Sequence, residues 1–282
     1  MTTQQAPKAG YGVFGPYAHE YHTHRSGYPD SVFNAIMQHY MHVPAEKDPL
    51  RVLDIGCGTG LSTHGIVRAL PKEKNIEMFG LDKDASMIAQ ARDFFSQTIK
   101  LNPGVAIQWR EGTIVDGHIG RMFDLIVCAS AFHWVHTEKG ATDKIRSILN
   151  KSDFELDILH PFVVINRKLS DEYLQRDMRS IANRFTERAI PDVKEKYNPV
   201  QILHEHKFGN VSNEHIKYSE LIEFEKAIER FKTASFWQEV PLSSRTEADK
   251  LLRSLAKEKF SAEDNAKIRI SYDVELTVGY RM

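Results

Sequence analysis

Residues 51–60 read Arg51-Val52-Leu53-Asp54-Ile55-Gly56-Cys57-Gly58-Thr59-Gly60. The apolar run from Val52 to Ile55 has the length and composition of a parallel strand buried on both faces. It breaks into glycines at 56, 58 and 60, then into Leu61-Ser62-Thr63-His64-Gly65-Ile66-Val67-Arg68-Ala69-Leu70, which reads as a helix. Strand, glycine loop and helix make the first third of a nucleotide-binding βαβ unit. Glycine serves such a loop twice: it reaches backbone angles closed to other residues, and it lets a ligand touch the main chain. Pro71 and the polar stretch Lys72 to Asn75 end the helix. Glu77 to Leu81 reads as a second strand and ends in Asp82, 22 positions after Gly60. That is close to the ~20-residue spacing at which a carboxylate reaches ribose hydroxyls.

A dinucleotide loop spaces its glycines Gly-x-Gly-x-x-Gly and sets a pyrophosphate on the helix N-terminus. This chain has Gly-x-Gly-x-Gly, with Leu61 at the third dinucleotide position. Asp54 on the feeding strand would repel a pyrophosphate and attract a cation. S-adenosylmethionine (SAM) carries a sulfonium, an ammonium and a ribose, which suits one acid at each end of the site. Val52 to Gly60 resembles the first motif of class I SAM-dependent methyltransferases. The resemblance implies an α/β, doubly wound, Rossmann-like sheet of seven mostly parallel strands, here with a helical cap. It also implies SAM held by Asp54, Gly56, Cys57, Gly58 and Gly60, and by Asp82, Lys83 and Met87 around the ribose and adenine. An NAD-type oxidoreductase and a non-catalytic SAM-binding protein are the alternatives.

Phe123 to Val135 is the second informative stretch. A buried strand, Leu125 to Ala129, runs into Ser130-Ala131-Phe132-His133-Trp134. This resembles the fourth motif of the small-molecule (type 11, trans-aconitate methyltransferase-like) subgroup. Ligands in open α/β sheets sit outside the carboxyl ends of the strands. Ser130 is therefore expected beside the cofactor, and Phe132, His133 and Trp134 beside the acceptor, unless His133 and Trp134 serve packing alone. His133 is the candidate base for a hydroxyl or ring-nitrogen acceptor, since its ordinary pKa lies near neutrality; a carboxylate acceptor needs none. Near the N-terminus, Tyr21, Arg25 and Tyr28 match the Phe…Tyr…Arg…Tyr-Pro pattern of a segment that folds over the methionine end of SAM. Packing of these aromatics on the core is the plainer alternative, and His19, His22 and His24 without a cysteine make a weak metal site, so no metal is expected. After the third strand, Val105 to Trp109, the adenine edge is expected to meet backbone groups of Thr113 and Ile114. The family's usual acid is absent there, with Glu111 and Asp116 the nearest.

Net charge is −1 over 282 residues, so no global field draws the chain to nucleic acid or anionic membrane. No apolar run approaches the ~20 residues of a membrane span. Cys57 and Cys128 are the only cysteines, both in apolar or glycine-rich contexts, which fits a reducing, cytoplasmic setting. No signal peptide is read at the N-terminus. The expected partner is a small-molecule acceptor, with no nucleic acid and no membrane.

The expected organisation is an N-terminal lid and helix over 1–50, a SAM-binding core over 51–165, a helical cap with the acceptor region over 166–235, and a C-terminal part completing the sheet over 236–282. The fifth strand has two candidates, Phe154 to Leu159 and Phe162 to Ile165. Asn150 to Asp153 stands where relatives carry a Pro-Gly-Gly turn. Phe208 to Val211 is expected as a short sixth strand, Tyr218 to Phe236 as a helix, and Ile268 to Tyr280 as a final strand. Arg176, Arg179, Arg184 and Arg188 are expected to form a solvated face, or one of them to anchor an anionic acceptor.

Overall fold

A computed structural model describes residues 17–40, 49–72, 75–98, 104–116, 119–153, 158–190, 192 and 197–282. The chain divides into two compact units, and neither is one block of sequence. The core unit comprises Gly27–Arg167, Val193–Ile216 and Val274–Met282; the second comprises Met1–Ser26, Lys168–Asp192 and Lys217–Asp273.

Seven strands form one sheet: β1 (Leu50–Ile55), β2 (Ile76–Asp82), β3 (Val105–Glu111), β4 (Leu125–Ala129), β5 (Pro161–Leu169), β6 (Gly209–Glu223) and β7 (Lys267–Tyr280). Their order is β3-β2-β1-β4-β5-β7-β6. The pairs β1–β2, β1–β4, β2–β3 and β4–β5 are parallel. β6 and β7 run in opposite directions, because Asn213 faces Glu275 while Ser219 faces Ser271. Order reverses at β1, and in such sheets the usual ligand position lies at that point, here outside the carboxyl ends of β1 and β4. Strands β1 and β4 are buried on both faces, as their continuous apolar runs predict.

In the core unit, helices α2 (Asp30–Tyr40), α3 (Leu61–Ala69), α4 (Ala85–Thr98), α5 (Phe132–Val135), α6 (Ala141–Ile148) and α8 (Pro199–Glu205) connect or follow the strands. Helix α2 buries Val32, Phe33, Ile36, Met37 and Tyr40, the stripe its sequence spacing predicts. Asp84 caps α4, its Oδ1 accepting from the Ser86 and Met87 amides at 2.9 and 3.3 Å. The Asn150 to Asp153 segment is anchored through Asn150: its amide donates to Phe123 O at 2.8 Å and its Nδ2 to Asp124 Oδ1 at 2.6 Å.

The second unit holds α1 (Ala18–His24), α7 (Glu172–Asn183), α9 (Phe224–Lys232), α10 (Ser235–Gln238) and α11 (Arg245–Phe260). Leu174, Met178, Phe224, Ile228, Trp237 and Leu252 share its core. Asp171 caps α7 by accepting from the Leu174 amide at 2.9 Å.

Of the two candidates for the fifth strand one is observed, and other expectations need correction. The fifth strand is Pro161–Leu169; of the rival stretch, Phe154 to Asp157 lies outside the described residues. The sixth strand is not a short Phe208 to Val211 but runs to Glu223, and the helix expected from Tyr218 starts at Phe224. Region 166–235 is accordingly not an all-helical cap, since it carries the end of β5 and all of β6. The arginines do not form one solvated face either: Arg179 pairs with Asp192 at 3.3 Å and lies over the Phe236 ring.

Candidate active site

The glycine loop leaves β1 at Ile55 and enters α3 at Leu61. Gly56, Gly58 and Gly60 all take positive φ, +67°, +54° and +85°. A Cβ on Gly56 would stand 2.4 Å from Ala131 Cβ, so this glycine lets the loop close against the end of β4. A Cβ on Gly58 would meet nothing within 4 Å. Its backbone therefore faces open space, as a ligand-bearing loop requires. The Gly56 and Cys57 amides donate to Leu81 O at 2.7 and 3.1 Å, pinning the loop to the end of β2. The Cys57 thiol is buried, and burial pushes it well above its ordinary pKa, so it acts as a small apolar side chain.

Asp54 lies under this loop with none of its surface exposed. Its Oδ2 accepts from Ser62 Oγ at 2.7 Å and Thr63 Oγ1 at 2.6 Å, both in the first turn of α3. Its Oδ1 is buried with no hydrogen-bond partner. Burial pushes the carboxyl up to about 6, against the two hydroxyl bonds, and the negative charge of Asp82 adds to the rise. Asp82 ends β2. Its Oδ2 accepts from the Gly58 amide at 2.9 Å and its Oδ1 from the Asp84 amide at 3.0 Å. Each oxygen keeps a second lone pair for a ribose hydroxyl. Burial pushes Asp82 up as well, opposed by those two amides. The two acids and the glycine loop form one charged cradle at the carboxyl edge of β1 and β2.

Beside it, burial pulls the Lys83 ammonium below its ordinary value while Glu138, Asp82 and Asp84 push it back. Burial pushes Glu138 up, opposed by the Thr113 side chain and the charge of Lys83, while the Thr113 hydroxyl donates to Asp116 Oδ2 at 3.2 Å. Nothing in the sequence marked Glu138, which is 55 positions from Lys83. Met87 and Ile114 are both buried, 4% and 1% exposed as whole residues. Thr113 Oγ1 accepts from the Val115 and Asp116 amides at 3.2 Å and shapes the turn after β3.

Across the crevice, Ser130 follows β4 with φ +52° and donates its amide to Ile165 O at 2.7 Å. Its Oγ lies 2.8 Å from the Tyr28 hydroxyl. These two predicted residues, 102 positions apart, are thus in contact. Phe132 is not a crevice wall: it is fully buried and packs edge-on against Phe162 at 5.3 Å. His133 is 6% exposed, with Trp134 at 5.1 Å and Tyr197 at 5.9 Å between ring centroids. Tyr197, which the sequence did not mark, accepts from Asn166 Nδ2 at 3.4 Å. Tyr21 and Arg25 belong to the second unit. There the Arg25 guanidinium lies 5.9 Å from the Tyr21 ring centroid, and its Nη1 donates to Thr233 Oγ1 at 3.5 Å.

Comparison with known proteins bears on this cradle. Residues 53–152, from the glycine loop through β4 and α6, match the family model of a methyltransferase domain. Over this segment the chain is similar to a methyltransferase domain. Over 108 residues, 38% of this chain, it is 30% identical to an uncharacterised protein of Rickettsia prowazekii (strain Madrid E). Over 118 residues, 42% of this chain, it is 27% identical to malonyl-[acyl-carrier protein] O-methyltransferase of Anoxybacillus flavithermus. In each case the match spans 40% of the relative's own length. The likeness of fold extends beyond this segment. A candidate type II methyltransferase from Anaeromyxobacter dehalogenans superposes with a TM-score of 0.58 over 92% of this chain and 98% of the other, at 14% identity. That likeness speaks for the fold. Among the described residues no cluster of His, Cys, Asp and Glu suits a metal ion, and no helix is long and apolar enough to cross a membrane.

Proposed function

We propose that the chain is a SAM-dependent methyltransferase acting on a small molecule. The carrying observation is the unpartnered, buried Oδ1 of Asp54 beneath a glycine loop whose central residue, Gly58, opens onto free space. A buried carboxylate oxygen without a donor is costly, and a ligand ammonium would relieve that cost. Asp82, 22 positions beyond Gly60, is the ribose acid, and the backbone around Thr113 and Ile114 reads the adenine. The residues present therefore fit SAM, which supplies a methyl group on a sulfonium carbon.

With so good a leaving group, alignment supplies most of the acceleration. Asp54, the Gly56–Gly60 loop and Asp82 fix the donor. Ser130 borders the donor, and Tyr28, whose hydroxyl touches it, and Trp134 border the place where an acceptor would approach in line. His133 takes the proton from a hydroxyl or ring-nitrogen acceptor; a carboxylate acceptor leaves it idle. Because one matched relative is named as an O-methyltransferase of malonyl-[acyl-carrier protein], oxygen acceptors are the first to screen.

The test is calorimetric titration with SAM, S-adenosylhomocysteine (SAH) and NAD, followed by a methyl-transfer screen over carboxylates, phenols and heterocycles. Binding of SAM and SAH with no response to NAD supports the proposal. Binding of NAD alone overturns it, and SAM binding without turnover on any acceptor favours a SAM-binding protein. Once an acceptor is known, His133→Ala with undiminished turnover removes the base role.

A further inference from the structure

Arg167 is the seventh residue of β5 and only 7% exposed. A buried guanidinium is expensive to keep unless its donors and its face are engaged. Its Nη1 donates to Gly27 O at 2.9 Å, and its Cζ lies 5.0 Å from the centroid of the Tyr28 ring. Gly27 and Arg167 are the two ends of the longest continuous stretch of the core unit, so this hydrogen bond ties the stretch end to end. Tyr28 is thereby fixed at three points. The arginine covers its ring, Phe33 meets it edge-on at 6.2 Å, and its hydroxyl touches Ser130 Oγ at 2.8 Å. Ser130 has little freedom of its own, since its amide is bonded to Ile165 O and its φ is +52°.

The three residues come from distant parts of the sequence: the approach to α2, the end of β4 and the end of β5. They converge at the carboxyl edge of the sheet, where an apolar side chain could fill position 167 without the desolvation of a charge. A planar cation that grips one carbonyl and covers one ring suits orientation more than packing.

We propose that Arg167 is a positioning residue of the cofactor crevice, setting Tyr28 so that its hydroxyl holds Ser130 Oγ at the rim. The proposal rests on the reading of the crevice as a SAM site. Arg167 acts through Tyr28, so losing either residue removes the same interaction, and losing both removes little more. Lysine keeps the charge but not the planar face, so Arg167→Lys falls between wild type and a neutral replacement.

The experiment is a double-variant cycle read as the SAH dissociation constant by calorimetry, with thermal melting alongside. Arg167→Met and Tyr28→Phe are each expected to weaken SAH about tenfold, and the double variant to stay near tenfold instead of reaching about a hundredfold. Losses that multiply overturn the proposal, as does Arg167→Met that melts lower yet binds SAH like wild type. If Arg167→Met does not fold, the cycle of Arg167→Lys with Tyr28→Phe carries the same two outcomes. Wild-type protein that ignores SAH overturns the cofactor reading and this proposal with it; wild-type binding with multiplying losses overturns the role of Arg167 alone.

Discussion

At the scale of single residues, Asp54 sets stability against binding. Its carboxyl stands at about 6 in the folded chain, against 3.8 ordinarily, with burial as the leading cause. An acid whose folded value is raised favours the fold while protonated in both states, and that favour is lost as pH rises through about 6. At 1.36 kcal/mol per unit the full effect is about 3 kcal/mol, with about 1–3 kcal/mol expected in practice. Asp54→Asn, which cannot ionise, should therefore raise the melting temperature at pH 7.5 and do little at pH 4. The same change should weaken SAH more than tenfold by removing the partner of its ammonium. Melting curves at the two pH values and one titration check both halves. A variant that melts lower at pH 7.5 would contradict the assigned burial cost. The sequence marked Asp54 as an acid that would attract a cationic ligand. It did not show that Ser62 and Thr63 would engage one carboxylate oxygen and leave the other bare. Eight and nine positions downstream, past a sharp loop, they reach back only because three glycines turn the chain.

At the scale of elements, the loop between β1 and α3 separates two demands on glycine. Gly56→Ala combines positive φ with a Cβ 2.4 Å from that of Ala131, so overpacking adds to backbone strain, about 2–4 kcal/mol together. Gly58→Ala carries strain alone, about 1 kcal/mol, because its surroundings are open. The expected pattern is a large loss of melting temperature in Gly56→Ala, a small one in Gly58→Ala, and loss of SAH binding in both. Gly58→Ala that binds SAH normally would show that the ligand does not use this backbone. Elements defined by long apolar runs or by glycine punctuation were legible: β1, β2, β4 and α3 all lie within a residue or two of their sequence readings. The long β6 was not. Ile216, Tyr218 and Ile222 alternate on one face of the strand, while Phe224, Ala227, Ile228 and Phe231 follow helical spacing in α9. The two patterns join at Glu223–Phe224 without a glycine or proline between them, so the apolar residues from 218 onward read as one helix. The strand's outer face is exposed throughout, which denied it the continuous apolar run that marked β1 and β4.

At the scale of the whole molecule, the matched segment 53–152 stops before the sheet is complete. It carries β1 to β4 but not β5, and Ile126, Val127, Cys128 and Ala129 on β4 pair with Phe162, Val163, Val164 and Ile165. A fragment spanning 49–153 would leave that apolar edge open, and an open apolar edge templates aggregation. Such a fragment should aggregate on size exclusion; a monomer with a cooperative melt would refute this. The four consecutive blocks read from the sequence could not anticipate two interleaved units, because long-range pairing leaves no local signal. In the intact chain, a ligand that binds only the folded state adds about 2.7 kcal/mol at a hundred times its dissociation constant. For a chain of this size that is a rise of roughly 5–10 °C in melting temperature. Because Asp54 must be ionised to meet an ammonium, SAH affinity should climb as pH rises through about 6. At one fixed SAH concentration, the rise should then be smaller at pH 5 than at pH 7.5, and absent in Gly58→Ala at either. An SAH-induced rise that is larger at pH 5 would mean that the ligand avoids the ionised carboxylate, and would move the ammonium site away from Asp54.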